Sequence, residues 1–226
     1  DWKLRSGLPL EDVWFSSADG TKLFGWYVEA AADRPVILWC HGNAGNIIHR
    51  LDNLGRLFMS SFSVFLFDYR GYGRSEGRPS EKGLYLDAAG AYDYLTRTRM
   101  IRPQRLIVFG RSLGAAVAGD LASHKPAAGL VLESSFPSIE SVAKIHYGGL
   151  PLHWLLGAEF RLIDRLHDLS LPKLIIHGDQ DDIIPLSLGR QVFDASPSPK
   201  SFYVIAGAGH NNTYLVGGRV YFSRFA

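Results

Sequence analysis

Cysteine is nearly absent from this sequence. Cys40 is the only cysteine among the 226 residues, so no disulfide can form within the chain. It ends the apolar run 36–40, and a free cysteine in such a run is typical of a protein core. We therefore expect a buried structural thiol without a reactive role.

Long apolar segments and an excess of one charge are also missing. No run approaches the roughly 18 apolar residues that cross a bilayer, and no signal peptide is visible. The 24 basic and 22 acidic residues leave a net charge of +2, which argues against a nucleic-acid partner. The chain begins at Asp1 rather than Met, so both a cytoplasmic and a membrane-associated location stay open.

Short apolar runs alternate with longer, helix-like stretches along the chain. A chain of this length fits one α/β domain. The predicted strands are 13–16, 23–29, 36–40, 64–67, 106–109, 130–132, 174–176 and 202–205. The predicted helices are 46–60, 80–98, 114–124, 187–195 and the segment from 215 onward.

The central runs are apolar at every position, which is typical of parallel strands that are covered on both faces. Strands that alternate with helices imply right-handed crossovers and helices on both faces of the sheet. The first two runs are joined through residues 18–20 and favour an antiparallel hairpin at the sheet edge. We predict a single α/β domain with a mostly parallel, twisted sheet of about eight strands.

One stretch interrupts this alternation. Residues 134–171 separate two predicted strands, and they include two prolines, a glycine pair and an aromatic-rich segment. We interpret the stretch as a small helical cap over a functional site. The alternative is a long crossover that packs on the sheet.

The pattern Gly-x-Ser-x-Gly occurs twice, at 73–77 and at 110–114. In a nucleophile elbow, the serine lies on a strained turn between a strand and a helix. Ser112 follows the apolar run 106–109 and precedes small residues that favour a helix. Ser75 has neither neighbour. We therefore predict Ser112 as a catalytic nucleophile and Ser75 as a loop serine.

A serine nucleophile needs a base, and the base needs an acid to orient it. Of eight histidines, only His210 lies in a loop after the last predicted strand, so we predict it as the base. Three carboxylates follow the run 174–176, and the spacing favours Asp181, with Asp182 as the alternative. Surplus aspartates in such a turn commonly bind their own backbone.

Acyl transfer also needs donors for the oxyanion that develops in the transition state. We predict the backbone N–H of Leu113, just after the nucleophile, and that of Asn43, in the loop after the third strand. His41 and His177 each directly follow a predicted strand and precede a glycine. We expect both histidines to brace their loops rather than to act as bases.

Five motifs together resemble the α/β-hydrolase superfamily, and more narrowly its bud-emergence-like, abhydrolase-domain-containing serine hydrolases. They read His-Gly-Asn-Ala-Gly-Asn, Asp-Tyr-Arg-Gly-Tyr-Gly-x-Ser-x-Gly, Gly-Arg-Ser-Leu-Gly, His-Gly-x-x-Asp-x-x-Ile-Pro and Gly-x-Gly-His-Asn, at 41–46, 68–77, 110–114, 177–185 and 207–211. The resemblance implies the α/β-hydrolase fold, the triad Ser112, Asp181 and His210, and esterase or thioesterase chemistry.

Members of this group are often tethered to membranes by an N-terminal segment, and some remove palmitate from proteins. Membrane association through a segment before Asp1 is therefore an expectation from the resemblance. This chain lacks the N-terminal cysteine cluster of the depalmitoylating relatives. Asn212 stands where members often have aspartate.

The sequence thus predicts a serine hydrolase that cleaves carboxylic esters through an acyl-enzyme, without a metal or a cofactor. The expected substrate is a small-molecule acyl ester or acyl thioester. Tyr147, Trp154 and Leu155 are candidates for the substrate pocket, and the alternative is that they form the core of the cap. Two other functions stay open: a thioesterase or lipase for long acyl chains, and a non-catalytic binding protein on a hydrolase fold.

Overall fold

The computed structural model describes residues 6–147 and 158–225. Within these residues, eight strands form one sheet in the order β1-β2-β4-β3-β5-β6-β7-β8. The strands are β1 Glu11–Ser16, β2 Lys22–Val28, β3 Val36–Cys40, β4 Ser63–Asp68, β5 Leu106–Arg111, β6 Gly129–Glu133, β7 Lys173–Gly178 and β8 Lys200–Ile205. Each predicted strand coincides with one of these.

The sheet is parallel from β4 to β8 and antiparallel at the β1 edge. β1 pairs with β2 and β2 pairs with β4 in antiparallel register, while the pairs from β4–β3 to β7–β8 are parallel. Every residue of β3, β4, β5 and β7 is buried. This complete burial explains why the central runs are continuously apolar. The strand pairing confirms the predicted hairpin and the mostly parallel sheet.

The helices lie close to the predicted segments. They are α1 Leu51–Met59, α2 Glu81–Asp93, α3 Leu113–His124, α4 Ile139–Tyr147, α5 Leu162–Leu166, α6 Leu186–Ala195 and α7 Thr213–Ser223. A 3-10 turn at Ile47–Arg50 precedes α1, a π-helical turn at Tyr94–Thr98 extends α2, and a 3-10 turn at Pro103–Arg105 precedes β5. In the described ranges, none of the helices has both the length and the apolar character to span a bilayer.

Two apolar clusters cover the two faces of the sheet. Successive strand residues point to opposite faces, and accordingly Leu38 and Trp39 of β3 lie in different clusters. The Leu38 cluster includes Val117 of α3 together with side chains of α2, α5 and α6. The Trp39 cluster includes Leu54 of α1 and Tyr221 of α7. Helices therefore cover both faces, as predicted.

The stretch 134–171 divides into two described parts. Helix α4 belongs to the first part, and residues 148–157 lie outside the description. In the second part, Phe160 and Leu162 are buried, and α5 packs against α3. Both interpretations of the stretch 134–171, a helical cap and a long crossover, therefore stay predictions.

Cys40 offers a test of the core. It is fully buried, and burial raises the pKa of its thiol to about 12. Because only the thiolate reacts with alkylating agents, we expect the native protein to resist iodoacetamide at pH 8. Mass spectrometry should find one added group only after unfolding in guanidinium. Rapid alkylation of the native protein would contradict this placement.

Candidate active site

Ser112 lies at the junction between β5 and α3. Its backbone dihedrals are φ +54° and ψ −123°, a region that residues other than glycine seldom adopt. The turn is held by hydrogen bonds from Ser112 N to the Glu133 carbonyl and from Ala115 N to the Ser112 carbonyl, both 2.9 Å. This is the strained strand-to-helix turn of a nucleophile elbow.

The two glycines of this motif are required by close backbone contacts. A Cβ at Gly114 would lie 2.0 Å from the carbonyl oxygen of Cys40. A Cβ at Gly110 would lie 2.3 Å from the carbonyl oxygen of Gly114. The first turn of α3 can therefore approach β3 and β5 only with glycine at both positions.

Ser75 has a different setting. Its Oγ donates a hydrogen bond to the Asp68 carbonyl at 2.6 Å and accepts one from Phe24 N at 2.9 Å. Both partners are backbone groups of the sheet edge. Ser75 therefore fixes a loop to β2 and β4, as predicted for a loop serine.

His210 and Asp181 form a buried pair. His210 Nδ1 lies 2.8 Å from Asp181 Oδ2 and 3.0 Å from Oδ1. Asp181 also accepts the backbone N–H groups of Ile184 at 2.8 Å and of Ile183 at 3.1 Å. The Asp181 side chain is fully buried, and that of His210 is 9% exposed.

The rival carboxylates do not contact the imidazole. Asp179 accepts the N–H of Gly207 at 2.7 Å and so holds the start of the His210 loop. Asp182 is exposed. Of the three predicted candidates, Asp181 is thus the one that binds His210.

Electrostatics keep Asp181 ionised. Burial alone would raise its pKa, but the hydrogen bond and the charge of His210 outweigh burial, and the pKa of Asp181 lies below its ordinary value. A carboxylate only accepts hydrogen bonds. The proton between the two groups is therefore assigned to His210 Nδ1, which leaves Nε2 as the basic nitrogen.

The side chain of Arg111 connects the turn at Ser112 to the main chain of His210. Arg111, the residue before Ser112, donates a hydrogen bond from Nη2 to the carbonyl of His210. In the part of the chain that the structure describes, no hydrogen bond joins the Ser112 hydroxyl to the imidazole. Catalytic hydrogen bonds are often longer without substrate and tighten in the Michaelis complex.

A cavity of about 550 Å³ opens beside Ser112 and is also lined by Leu113 and Asn43. A Cβ at Gly42 would lie 3.3 Å from Ser112 Cβ, so the loop after β3 runs directly against the serine. The N–H of Leu113 is the first of α3 and has no partner within its helix. Tyr72 donates a hydrogen bond to the Asn43 side chain at 2.7 Å, which fixes this loop.

The rest of the cavity wall is mostly apolar. Trp154 and Leu155, two of the predicted pocket residues, lie outside the described residues, as does the side chain of Tyr147. The described apolar lining is Leu84, Phe136, Ile139, Val142, Ala158, Phe160, Ile183 and Ile184. Sequence reasoning missed these positions because it placed the pocket residues between 147 and 155 only. The spacing of Ile139 and Val142 on one helical face was the available signal.

His41 and His177 support the loops around the site. His41 Nδ1 lies 2.7 Å from the Gly42 carbonyl, and His177 Nε2 lies 2.7 Å from the Ile184 carbonyl. Burial lowers the pKa of both imidazoles, that of His41 to about 4. Both are therefore neutral at pH 7, as expected for bracing residues.

The elbow contacts predict a strong effect of one methyl group. Gly114→Ala should destabilise the protein by about 2 kcal/mol or more, because its Cβ meets rigid backbone. Gly129→Ala is the matched control, since its Cβ would meet only the Pro172 carbonyl at 3.4 Å, an ordinary contact. Urea unfolding measures both variants. Equal stability of the two would show that the close approach of α3 to β3 is wrong.

Several known proteins are similar to this chain in sequence. A protein-family model described as serine aminopeptidase, S33, matches residues 31–160. The α/β-hydrolase domain-containing protein WAV2 of Arabidopsis thaliana is 35% identical over 242 aligned positions, which cover 96% of this chain and 77% of WAV2. Lysophosphatidylserine lipase ABHD12 of Rattus norvegicus is 33% identical over 214 positions, which cover 85% of this chain and 53% of ABHD12.

A solved structure gives the same fold. The Pyrococcus furiosus esterase Pf2001 matches with a TM-score of 0.81 at 21% identity, and the match covers 98% of this chain and 92% of that one. Together with the motifs and the eight-stranded sheet, these similarities confirm the expected family. The chain is a hydrolase that belongs to the α/β-hydrolase family, in the group of abhydrolase-domain-containing proteins.

Proposed function

We propose that this hydrolase cleaves carboxylic esters through an acyl-enzyme on Ser112. The observation that carries the proposal is the buried His210–Asp181 pair, which is tied through Arg111 to the strained turn at Ser112. A nucleophile on an elbow, beside a base that is oriented by a buried carboxylate, is the arrangement that acyl transfer requires.

In the first half-reaction, His210 Nε2 takes the proton of Ser112 as Oγ attacks the acyl carbon. The N–H groups of Asn43 and Leu113 hold the negative oxygen of the tetrahedral intermediate. When the intermediate collapses, the ester C–O bond breaks, and the imidazolium gives its proton to the leaving alcohol oxygen. The acyl group is then bound to Ser112.

In the second half-reaction, His210 takes a proton from water, and the water oxygen attacks the acyl carbon. The second tetrahedral intermediate releases the carboxylic acid, and the proton returns to Ser112 Oγ. Asp181 stays ionised throughout and stabilises the imidazolium that forms in each half. The scheme consumes one water molecule and uses no metal or cofactor.

Removal of the nucleophile should abolish turnover. Ser112→Ala should lower kcat on p-nitrophenyl acetate by three or more orders of magnitude, and it should prevent labelling by a fluorophosphonate probe. Ser75→Ala is the control and should label like the wild type. A folded wild-type protein that does not label at Ser112 would favour a binding protein on a hydrolase fold.

The proposed role of Asp181 can be tested by comparison with Asp182. Asp181→Asn should lower kcat by about 10⁴-fold, because a neutral amide favours the wrong imidazole tautomer. Asp182→Asn, one residue away and exposed, should keep the wild-type rate. The pair can be measured with one ester under the same conditions. Equal losses in the two variants would remove Asp181 from the proposed triad.

A second candidate function is a lipase or thioesterase that acts on long acyl chains. The apolar wall of the Ser112 cavity supports it, because such a wall favours an extended hydrocarbon. The relative ABHD12, by its name, is a lysophosphatidylserine lipase. Tyr147, Trp154 and Leu155 remain predicted contributors to this wall.

Filling the cavity separates the two candidates. Val142→Phe should lower kcat/KM for p-nitrophenyl decanoate by about tenfold or more, because the lost space excludes several methylenes. The acetate ester needs little of this space and serves as the internal control. If both esters, or neither, lose activity, the cavity does not hold the acyl chain. Thioesters of the same acyl lengths then measure the preference for the leaving group.

A further inference from the structure

Arg111 and Glu133 form a buried ion pair directly behind the turn at Ser112. Arg111 Nε lies 3.0 Å from Glu133 Oε1, and the two side chains are 7% and 0% exposed. The two residues end β5 and β6 and are register partners on these adjacent parallel strands. Because paired residues in a parallel sheet point to the same face, the two side chains meet at the carboxyl edge of the sheet.

The guanidinium of Arg111 reaches the loop that carries the proposed base. Its Nη2 donates to the main-chain carbonyl of His210 and, at 2.9 Å, to Asn211 Oδ1. The flat guanidinium presents its donors in a fixed fork. Nε makes an ion-pair contact with Glu133 without the alignment of a hydrogen bond, while Nη2 donates its hydrogen bonds to the His210 loop.

Glu133 holds the other side of the same loop. Its Oε1 accepts the Thr213 hydroxyl at 2.5 Å, and its Oε2 accepts the hydroxyl of Tyr221. Thr213 begins α7, three residues after His210. The ion pair therefore binds both ends of the segment 210–213: Arg111 binds the His210 carbonyl, and Glu133 binds the Thr213 hydroxyl.

The buried charges of Arg111 and Glu133 are not explained by stability alone. Taking each ion out of water costs several kcal/mol, and an apolar pair of similar volume is often as stable. None of these contacts involves the His210 imidazole, which binds Asp181. What the pair fixes is the main chain of the loop, and hence the position from which the imidazole projects.

We propose that Arg111, held by Glu133, is a positioning residue for His210. Because Ser112 directly follows Arg111, the nucleophile turn and the base loop are fixed to one buried group. The pair keeps Nε2 of His210 within reach of Ser112 while the acyl group is transferred. This inference rests on the proposed function.

The test removes both charges together, because a single unpaired buried charge destabilises strongly. In the double variant Arg111→Met/Glu133→Gln, we expect kcat on p-nitrophenyl acetate to fall on the order of 10²-fold, the effect of about 1 Å of misplacement. KM should change little, since neither Arg111 nor Glu133 is among the described residues that line the cavity. An unchanged kcat in the folded variant would overturn the proposal.

A matched control separates positioning from stability. Arg70 and Asp87 form another buried pair, 2.8 Å apart, which holds Ser17 and Asp19 rather than the His210 loop. Arg70→Met/Asp87→Asn should lower Tm by a comparable amount without a comparable loss of kcat. If both double variants lose kcat in proportion to Tm, the Arg111 pair has a structural role only.

A second background shows whether the effect passes through His210. Introduced into His210→Ala, the Arg111→Met/Glu133→Gln change should have no further effect on the residual rate, because residues that act as one unit are not additive. An equal fold-loss in both backgrounds would contradict the proposal.

Should the double variant fail to fold, Thr213→Val removes the hydrogen bond between Glu133 and the start of α7 and should lower kcat with KM unchanged. A wild-type kcat in Thr213→Val would then count against the proposal.

The two proposals fail in different ways. If Ser112 is not the nucleophile, Ser112→Ala keeps its turnover, and the fluorophosphonate probe does not label Ser112 in the wild-type protein. If only the positioning role is wrong, Ser112→Ala is inactive, while Arg111→Met/Glu133→Gln keeps the wild-type kcat.

Discussion

The close approach of α3 to the carboxyl ends of β3 and β5 constrains the whole site. Only glycine fits at 110 and 114, where a Cβ would lie 2.3 Å and 2.0 Å from backbone oxygens. This contact forces Ser112 into its positive φ and presses the loop after β3 against the serine. Backbone strain of this kind persists only where the surrounding structure over-determines it. Here, six parallel strands and two apolar clusters provide that support.

Two buried carboxylates then fix the loop that carries His210. Asp181 binds the imidazole, whereas Glu133 acts on the main chain through Arg111 and Thr213. Glu133 ends β6 and Asp181 follows the adjacent strand β7, so the pairing of these strands brings the two acids to the same end of the sheet. The His210 loop is therefore held by contacts outside the cavity. If His210 is the base, as we propose, this anchoring preorganises it for the reaction.

Much of the fold could be predicted because the central strands β3, β4, β5 and β7 are buried on both faces and therefore form unbroken apolar runs in the sequence. The elbow was predictable for a related reason, since Ser112 has a strand before it and Ser75 does not. The exchange of β3 and β4 in the sheet order was not predictable, because it depends on pairing between distant segments. The role of Arg111 was not predicted for the same reason. Its partner Glu133 becomes a neighbour only through the pairing of β5 with β6. Asp181 was distinguished from Asp182 by spacing alone, and the contact with His210 supports that choice.

We propose that Ser112 carries the acyl group between the two half-reactions. Intact and peptide-level mass spectrometry, after rapid acid quench of the enzyme with p-nitrophenyl acetate, detects such an intermediate. We expect a mass increase of one acetyl group, located on the peptide that contains Ser112 and absent from Ser112→Ala. Turnover of the ester with no adduct at Ser112, or with the adduct at Ser75, would contradict it.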